Sequence, residues 1–334
     1  MSKTSINSPQ STVLIIGTGG TIAGKGKSGE TAAYDSAKIQ IENLVSELPE
    51  LGKLANLESV ELFSVDSCDI SFDKLIMLSN YINERAKNDE IDGFVITHGT
   101  DTLEETAYFL NLTVKTKKPV VITGAMRPST AISADGPFNL YQAVALAANK
   151  NISEKGVMIV FSDAIFGARD ICKVNTYRTD AFNHKDLGCL GYMRDDRAYF
   201  FNESVKIHTY KSQFDVRNLS SLPRVDVAMF CVDSEVDILD HFAKHCDGIV
   251  LAGAGCGGSK EEWNQKIKSI LASGIPVVRS SRVANGLVTY DESKISTQGI
   301  YAENLSPQKA RILLSLALTQ THDLTKLQEI FLTY

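Results

Sequence analysis

Short apolar runs alternate with longer stretches of helical period along most of this chain, and that alternation admits few architectures. Residues 13–16, 60–65, 94–97, 120–123 and 157–161 are the runs of the first half, and helical spacing occupies 36–51, 72–87, 103–114 and 137–148 between them. Strands buried on both faces by helices read as near-continuous hydrophobic runs, so the pattern predicts βαβ units around a mostly parallel sheet. Residues 164–183 read as irregular or hairpin structure.

The period fails over about 187–223, where aromatics, charges and serines mix, and it returns in a shorter form afterwards. Apolar runs at 227–232, 249–252 and 277–278 then alternate with helical stretches at 236–245, 260–272 and 307–319. With 334 residues the chain is long enough for two cores. The expected fold class is α/β with two domains: residues 1–187 with a larger, mostly parallel sheet and flanking helices, and residues 224–334 as a smaller, flavodoxin-like α/β domain. Residues 188–223 are expected to connect them.

Composition narrows the partners. There are 34 basic and 40 acidic side chains, a formal net charge of −6, and no Lys/Arg stripe that could neutralise a phosphate backbone, so nucleic acid is not an expected partner. No apolar stretch approaches the ~20 residues of a membrane helix, and the polar start lacks the apolar middle of a signal peptide. The six cysteines are scattered without a CxxC pair, which points to neither a zinc site nor a disulfide framework. The expectation is a soluble protein with reduced thiols in the cytoplasm, or in the periplasm if a leader has been removed.

Chemistry is expected beyond the carboxyl ends of the strands, where open α/β sheets carry their reactive groups. The run at 13–16 leads into Gly17-Thr18-Gly19-Gly20-Thr21, that at 60–65 into Asp66-Ser67, that at 94–97 into His98-Gly99-Thr100-Asp101, and that at 120–123 into Gly124-Ala125-Met126-Arg127. Hydroxyls held among glycines suit a small polar zwitterion. Neither the GxGxxG dinucleotide spacing nor GxxxxGK[ST] fits, since Gly20 to Gly26 is one residue too long for the latter. The polar stretch 25–31 reads as a loop able to serve as a lid.

A threonine hydroxyl attacks only when a neighbour takes its proton. Histidine, lysine and tyrosine are the usual acceptors and the chain offers all three, with Lys173 after the fifth strand and Tyr34 after the loop that follows Thr21. Lysine normally titrates near ~10.4, so a base role for Lys173 requires burial and a proton shared with Thr100 or Asp101.

The strings IIGTGGTIAG at 15–24, DGFVITHGTDTLEETAYFL at 92–110, KPVVITGAMRPST at 118–130, SADGPFNLYQAV at 133–144 and VVRSSRV at 277–283 resemble bacterial L-asparaginases of the asparaginase/glutaminase family, in particular the type II branch. The likeness extends through 306–321 and so spans nearly the whole chain. It implies hydrolysis of the L-asparagine side-chain amide to L-aspartate and ammonia through a threonine acyl-enzyme, without metal or organic cofactor. By the resemblance, Thr21 is the nucleophile, Tyr34 closes over it, and Thr100, Asp101 and Lys173 activate the attacking group or water. Ser67 and Asp101 would hold the substrate's carboxylate and amino group. Gly20, Asp66, Cys68, Gly99, Thr100 and the carbonyl of Ala125 would line the same pocket.

The resemblance also implies a homotetramer built from tight dimers, each site completed by the neighbouring subunit's smaller domain near Cys256 and either Asp291 or Glu292. Three departures fall at the substrate's α-amino end. Cys68 replaces a polar Gln or Glu, Cys256 replaces an Asn, and the stretch after Arg282 is shorter than in the best-known members. The cysteine pair that bridges some exported members has no counterpart near Ala86, Lys87 and Thr116. The alternatives are a dual asparaginase-glutaminase, an ammonia-supplying amidotransferase subunit with a docking or RNA-binding extension, and a silent amino-acid-binding module. The last is expected to have lost Thr21, Thr100 or Lys173, and all three are present.

Overall fold

The computed structural model describes residues 10–26, 34–35, 40–289 and 291–334. The chain divides into two compact units. One comprises Met1–His184, Gly188–Val205 and Thr209–Lys211, and the other Lys185–Leu187, Lys206–His208 and Ser212–Tyr334.

The first unit runs β1 (Thr12–Gly19), β2 (Lys25–Gly26), β3 (Tyr34–Asp35), α1 (Ile41–Ser46), β4 (Asn56–Val65), α2 (Phe72–Arg85), β5 (Gly93–Thr97), α3 (Leu103–Thr113), β6 (Val120–Thr123), α4 (Gly136–Ala147) and β7 (Val157–Phe161). Then come β8 (Ala164–Gly167), β9 (Ile171–Lys173), β10 (Phe182–His184), β11 (Gly191–Arg194) and β12 (Arg197–Phe200). Eight of these strands form one sheet in the order β12-β11-β8-β7-β6-β5-β1-β4. The five from β4 to β7 are mutually parallel and the other three antiparallel, giving the mostly parallel sheet that the apolar runs predict.

The alternation of side chains along a strand places Val13, Ile15, Val95, Val121 and Met158 on one face, where they pack with Leu140, Val144 and Leu146 of α4. Leu14, Ile16, Phe94, Ile96 and Ile122 form the other set and are equally buried. Burying each such side chain stabilises the fold by about 1.5–3 kcal/mol before conformational entropy is counted.

Residues 36–39, the start of the helix expected over 36–51, and 27–31 of the loop expected to act as a lid lie outside the described residues. Two differences from the sequence reading have local causes. The rest of that helix breaks after α1, because Pro49 disfavours the helical conformation in Leu48, which sits at φ −124°, ψ 73°. Residues 188–223, expected to connect domains, contain the β11–β12 hairpin, which pairs with β8. One face of that hairpin stays open, with Tyr192 and Tyr199 exposed, and this mixed polarity hid the strands.

The second unit runs β13 (Val225–Met229), α5 (Asp237–His245), β14 (Gly248–Gly253), α6 (Glu261–Ala272), β15 (Val277–Ser281), α7 (Ile295–Gln298), β16 (Ile300–Tyr301), α8 (Pro307–Ala317) and α9 (Leu324–Thr333). Its four strands form a parallel sheet in chain order. Trp263 is fully buried in its core against Phe230 and Leu239, with its indole N–H donating to the Ser234 carbonyl at 3.2 Å. Helix α9, which no sequence pattern marked, is capped by the Asp323 carboxylate accepting from the Lys326 amide at 2.9 Å.

Candidate active site

β1 leaves the sheet through Gly19 and Gly20, at φ 98° and 82°, a left-handed backbone that L side chains adopt only at a cost. The turn is pinned by the Gly20 amide donating to the Val65 carbonyl at 3.1 Å. Thr21 follows as the first residue of a 3-10 turn, 6 % exposed.

Glycines bring this turn against its neighbours. A β-carbon on Gly20 would lie 2.2 Å from the Gly99 nitrogen, and one on Gly99 would lie 2.7 Å from the Ser67 hydroxyl oxygen. One on Gly124 would lie 2.5 Å from the His98 carbonyl oxygen and 3.4 Å from the Thr100 methyl. The ends of β1, β4, β5 and β6 therefore meet in one place, closer than any residue with a side chain would permit.

The β4 end is a single turn capped by Asp66, whose carboxylate accepts from the Cys68 amide at 2.9 Å. Ser67 is buried, and its carbonyl accepts from the Thr102 hydroxyl at 2.8 Å. The Cys68 thiol reaches Asp101 Oδ2 at 3.8 Å. Burial first, then the charges of Asp101 and Asp66, push this thiol above its ordinary range, so it rests as a protonated donor.

Lys173 lies at the end of β9. Its ammonium donates to Thr100 Oγ1 at 2.8 Å and to Asp101 Oδ1. Its side chain is 16 % exposed whereas that of Asp101 is 57 % exposed, so the pair opens toward solvent on the carboxylate side. Its amide donates to Glu104 Oε2 at 2.7 Å, and Glu104 is itself buried on α3.

His98 lies beneath this group, fully buried. A carbonyl only accepts, so Nδ1 carries the hydrogen donated to the Gly99 carbonyl at 2.6 Å, and Nε2 accepts from the Thr106 hydroxyl at 2.8 Å. Burial holds the imidazole neutral down to about 4. The Ala125 segment is fastened in turn to α4. Asp135 accepts from the Met126 and Arg127 amides at 2.9 Å each, and Asn139 donates to the Gly124 carbonyl at 3.1 Å.

Gly20, Thr21, Asp66, Ser67, Cys68, Gly99, Thr100, Asp101, Ala125 and Lys173 thus fall on adjoining strand ends of the first unit. Tyr34 lies on β3, whose backbone pairs with β2 opposite Gly26, and its side chain is outside the described residues. Cys256 and Glu292 belong to the second unit. Cys256 is exposed in the turn closed by the Ala254–Gly258 bridge. Asp291 is committed to its own turn, accepting from the Ser293 amide at 3.1 Å and hydroxyl at 2.7 Å and pairing with Lys294 at 2.8 Å, while Glu292 is exposed. Those bonds, to Lys294 and then Ser293, hold the Asp291 carboxyl below its usual range.

The sequence reading missed Glu104, Asp135 and Asn139, which orient the loops. Glu104 had a usable signal, a second acid beside Glu105 in the first turn of a helix that is otherwise mostly apolar. Asp135 and Asn139, four apart at the start of α4, had none without a known partner.

The chain matches the family model described as "Asparaginase, N-terminal" over residues 12–206 and that described as "Glutaminase/Asparaginase C-terminal domain" over residues 224–331. It belongs to the asparaginase family. Among the family's curated proteins, the L-asparaginase 2 of Bacillus subtilis is 43% identical over 324 residues, covering 96% of this chain and 86% of that protein. The glutaminase-asparaginase of Acinetobacter glutaminasificans is 41% identical, covering 96% of this chain and 99% of that protein. Among solved structures, one described as "Probable Cytoplasmic L-asparaginase from Campylobacter jejuni" superposes with a TM-score of 0.94 at 45% identity, covering 97% of this chain and 100% of that one.

Proposed function

We propose that this asparaginase-family protein is an L-asparagine amidohydrolase that acts through a threonine ester. The observation that carries the reading is the Lys173 ammonium held between Thr100 Oγ1, at 2.8 Å, and Asp101, on a loop that touches the Thr21 turn through Gly20 and Gly99.

In the first half-reaction Thr21 Oγ1 attacks the side-chain amide carbon as its proton passes to Thr100 Oγ1, while the Thr100 proton goes to Lys173, which hands one of its own to Asp101 Oδ1. The tetrahedral oxyanion forms beside backbone N–H groups near Thr100, a type of donor worth about 3 kcal/mol each in acyl transfer. The C–N bond then breaks, ammonia departs with the transferred proton, and the aspartyl ester remains on Thr21. Water, deprotonated by the same group, attacks the ester and releases L-aspartate and the free hydroxyl. Every step uses residues of this chain and water. Asp101 Oδ2, the oxygen that the Cys68 thiol reaches, would take the substrate ammonium, with Ser67 on the carboxylate and Tyr34 closing from β3. Gly20, Asp66, Cys68, Gly99 and the Ala125 carbonyl complete the lining.

The family shares the small amide-bearing substrate class, and the glutaminase-asparaginase name of one relative supports L-glutamine as a second substrate. We read the division as a domain over 1–187, a connection over 188–223 whose hairpin adheres to the large sheet, and a domain over 224–334. We read the assembly as a homotetramer in the cytoplasm, with Cys256 and Glu292 reaching a neighbouring site; Glu292 is favoured over Asp291 because Asp291 is consumed in capping its own turn. Ammonia release from L-asparagine and L-glutamine by the purified protein tests the central reading. Turnover of asparagine is expected, and no release from either amide by folded protein would overturn it.

A further inference from the structure

We propose that His241 and His245 form a surface chelate for a divalent transition-metal ion of the imidazole-binding class, with Ni2+, Cu2+ and Zn2+ as members. The two residues stand four apart on α5, which stacks their side chains on one helix face. At 100° per residue, Leu239, the buried residue of this helix, lies about 160° round the axis from His241, so the imidazole face turns away from the core. Both histidines are exposed. The six histidines fall at 98, 184, 208, 241, 245 and 322, and no other two share this spacing.

The rings already stand at the separation a chelate requires. Their centroids are 4.7 Å apart and their planes meet at 49°. With metal–nitrogen bonds of about 2.0–2.1 Å and roughly 1.1 Å more to each ring centre, two imidazoles on one ion at 90–109° place their centroids about 4.5–5.2 Å apart. The observed centroid separation falls inside that range.

The surroundings tolerate a cation. Asp237, one turn earlier at the same spacing, is exposed and adds negative charge to this stretch of the helix. Asp240 is held by Lys266 of α6 at 2.9 Å and so is already balanced, leaving Lys244 as the exposed cation of this turn. Two neutral imidazoles with water completing the shell suit borderline metals, and their affinities should follow Cu2+ above Ni2+. Because the ion spans one turn of a nine-residue helix, binding to the folded form also stabilises α5 by mass action.

This site is independent of amide hydrolysis, so its failure would leave that reading untouched. The test is calorimetric titration of the tag-free protein with NiCl2 and then CuCl2, alongside His241→Ala, His245→Ala and Cys68→Ser. One Ni2+ per chain is expected, bound more weakly than Cu2+, with each histidine variant weakening Ni2+ binding by roughly tenfold or more. Ni2+ should raise the melting temperature of the parent protein and not that of either histidine variant, whose exposed positions leave the fold intact by circular dichroism. Absence of binding up to ~1 mM Ni2+, or undiminished binding by both histidine variants, would overturn the proposal. So would loss of binding in Cys68→Ser instead, which would place the ion at Asp66, Cys68 and Asp101, whose ligand atoms lie within 4.8 Å of one another.

Discussion

One ammonium, on Lys173, touches both a hydroxyl and a carboxylate, and residue-scale predictions start there. Lys173→Met keeps the length of the side chain and removes its only polar atom. It should lower kcat for asparagine by roughly 10²–10⁴-fold, the range of a lost proton-transfer group. Thr21→Val should fold normally and lose turnover by a larger factor, and burst kinetics should then show no ester accumulating; substantial residual turnover would move the nucleophile to Thr100. Cys68→Gln should change the ratio of glutamine to asparagine turnover, because the thiol contacts Asp101 Oδ2, the oxygen proposed to take the substrate ammonium. An unchanged ratio would remove Cys68 from substrate discrimination.

His98 adds a pH dependence of stability rather than of catalysis. Its folded value of about 4 lies below the ordinary 6.5, so between those values the unfolded chain takes up a proton that the native state refuses. Stability from this group is full above about pH 6.5 and falls as the pH drops toward 4, by up to about 3 kcal/mol. Urea denaturation of the parent and His98→Gln at pH 7 and pH 4.5 checks this, and the variant should show the shallower loss.

At the scale of elements, the site is a meeting of strand ends that glycine makes possible. Gly99→Ala would drive a methyl into Ser67 at 2.7 Å, forcing the β4 and β5 loops apart while leaving the sheet beneath untouched. The expected result is a fall of more than about tenfold in kcat/KM with a near-native far-ultraviolet spectrum, since a displacement of an ångström at the reacting groups is costly. The second unit relies on ordinary packing. Trp263→Ala, which empties the largest buried side chain there, should cost about 3–5 kcal/mol in chemical denaturation.

At the scale of the whole molecule, the proposed assembly places Glu292 in a neighbour's site. If so, mixing Thr21→Val with Glu292→Ala and allowing subunit exchange should yield more activity than the mean of the two alone, because some mixed sites recover both native residues. Activity equal to that mean would confine each site to one chain.

The strands β1, β5, β6 and β7 and the helices α2, α3 and α4 were legible because strong hydrophobic period and short range coincide in them. So were the threonines and the aspartate at the strand ends, since their position follows from the strands themselves. The β11–β12 hairpin was not legible, because its open face breaks the alternation that marks a strand. Local sequence determined where strands stop, which hydroxyls crown them and that two α/β layers exist, since apolar spacing and glycine placement act over a few residues. Only tertiary folding decided that Lys173 meets Thr100 across 73 residues and that Glu104 braces it. Those are matters of distance between side chains, and such distances exist only once remote segments have packed into a common core.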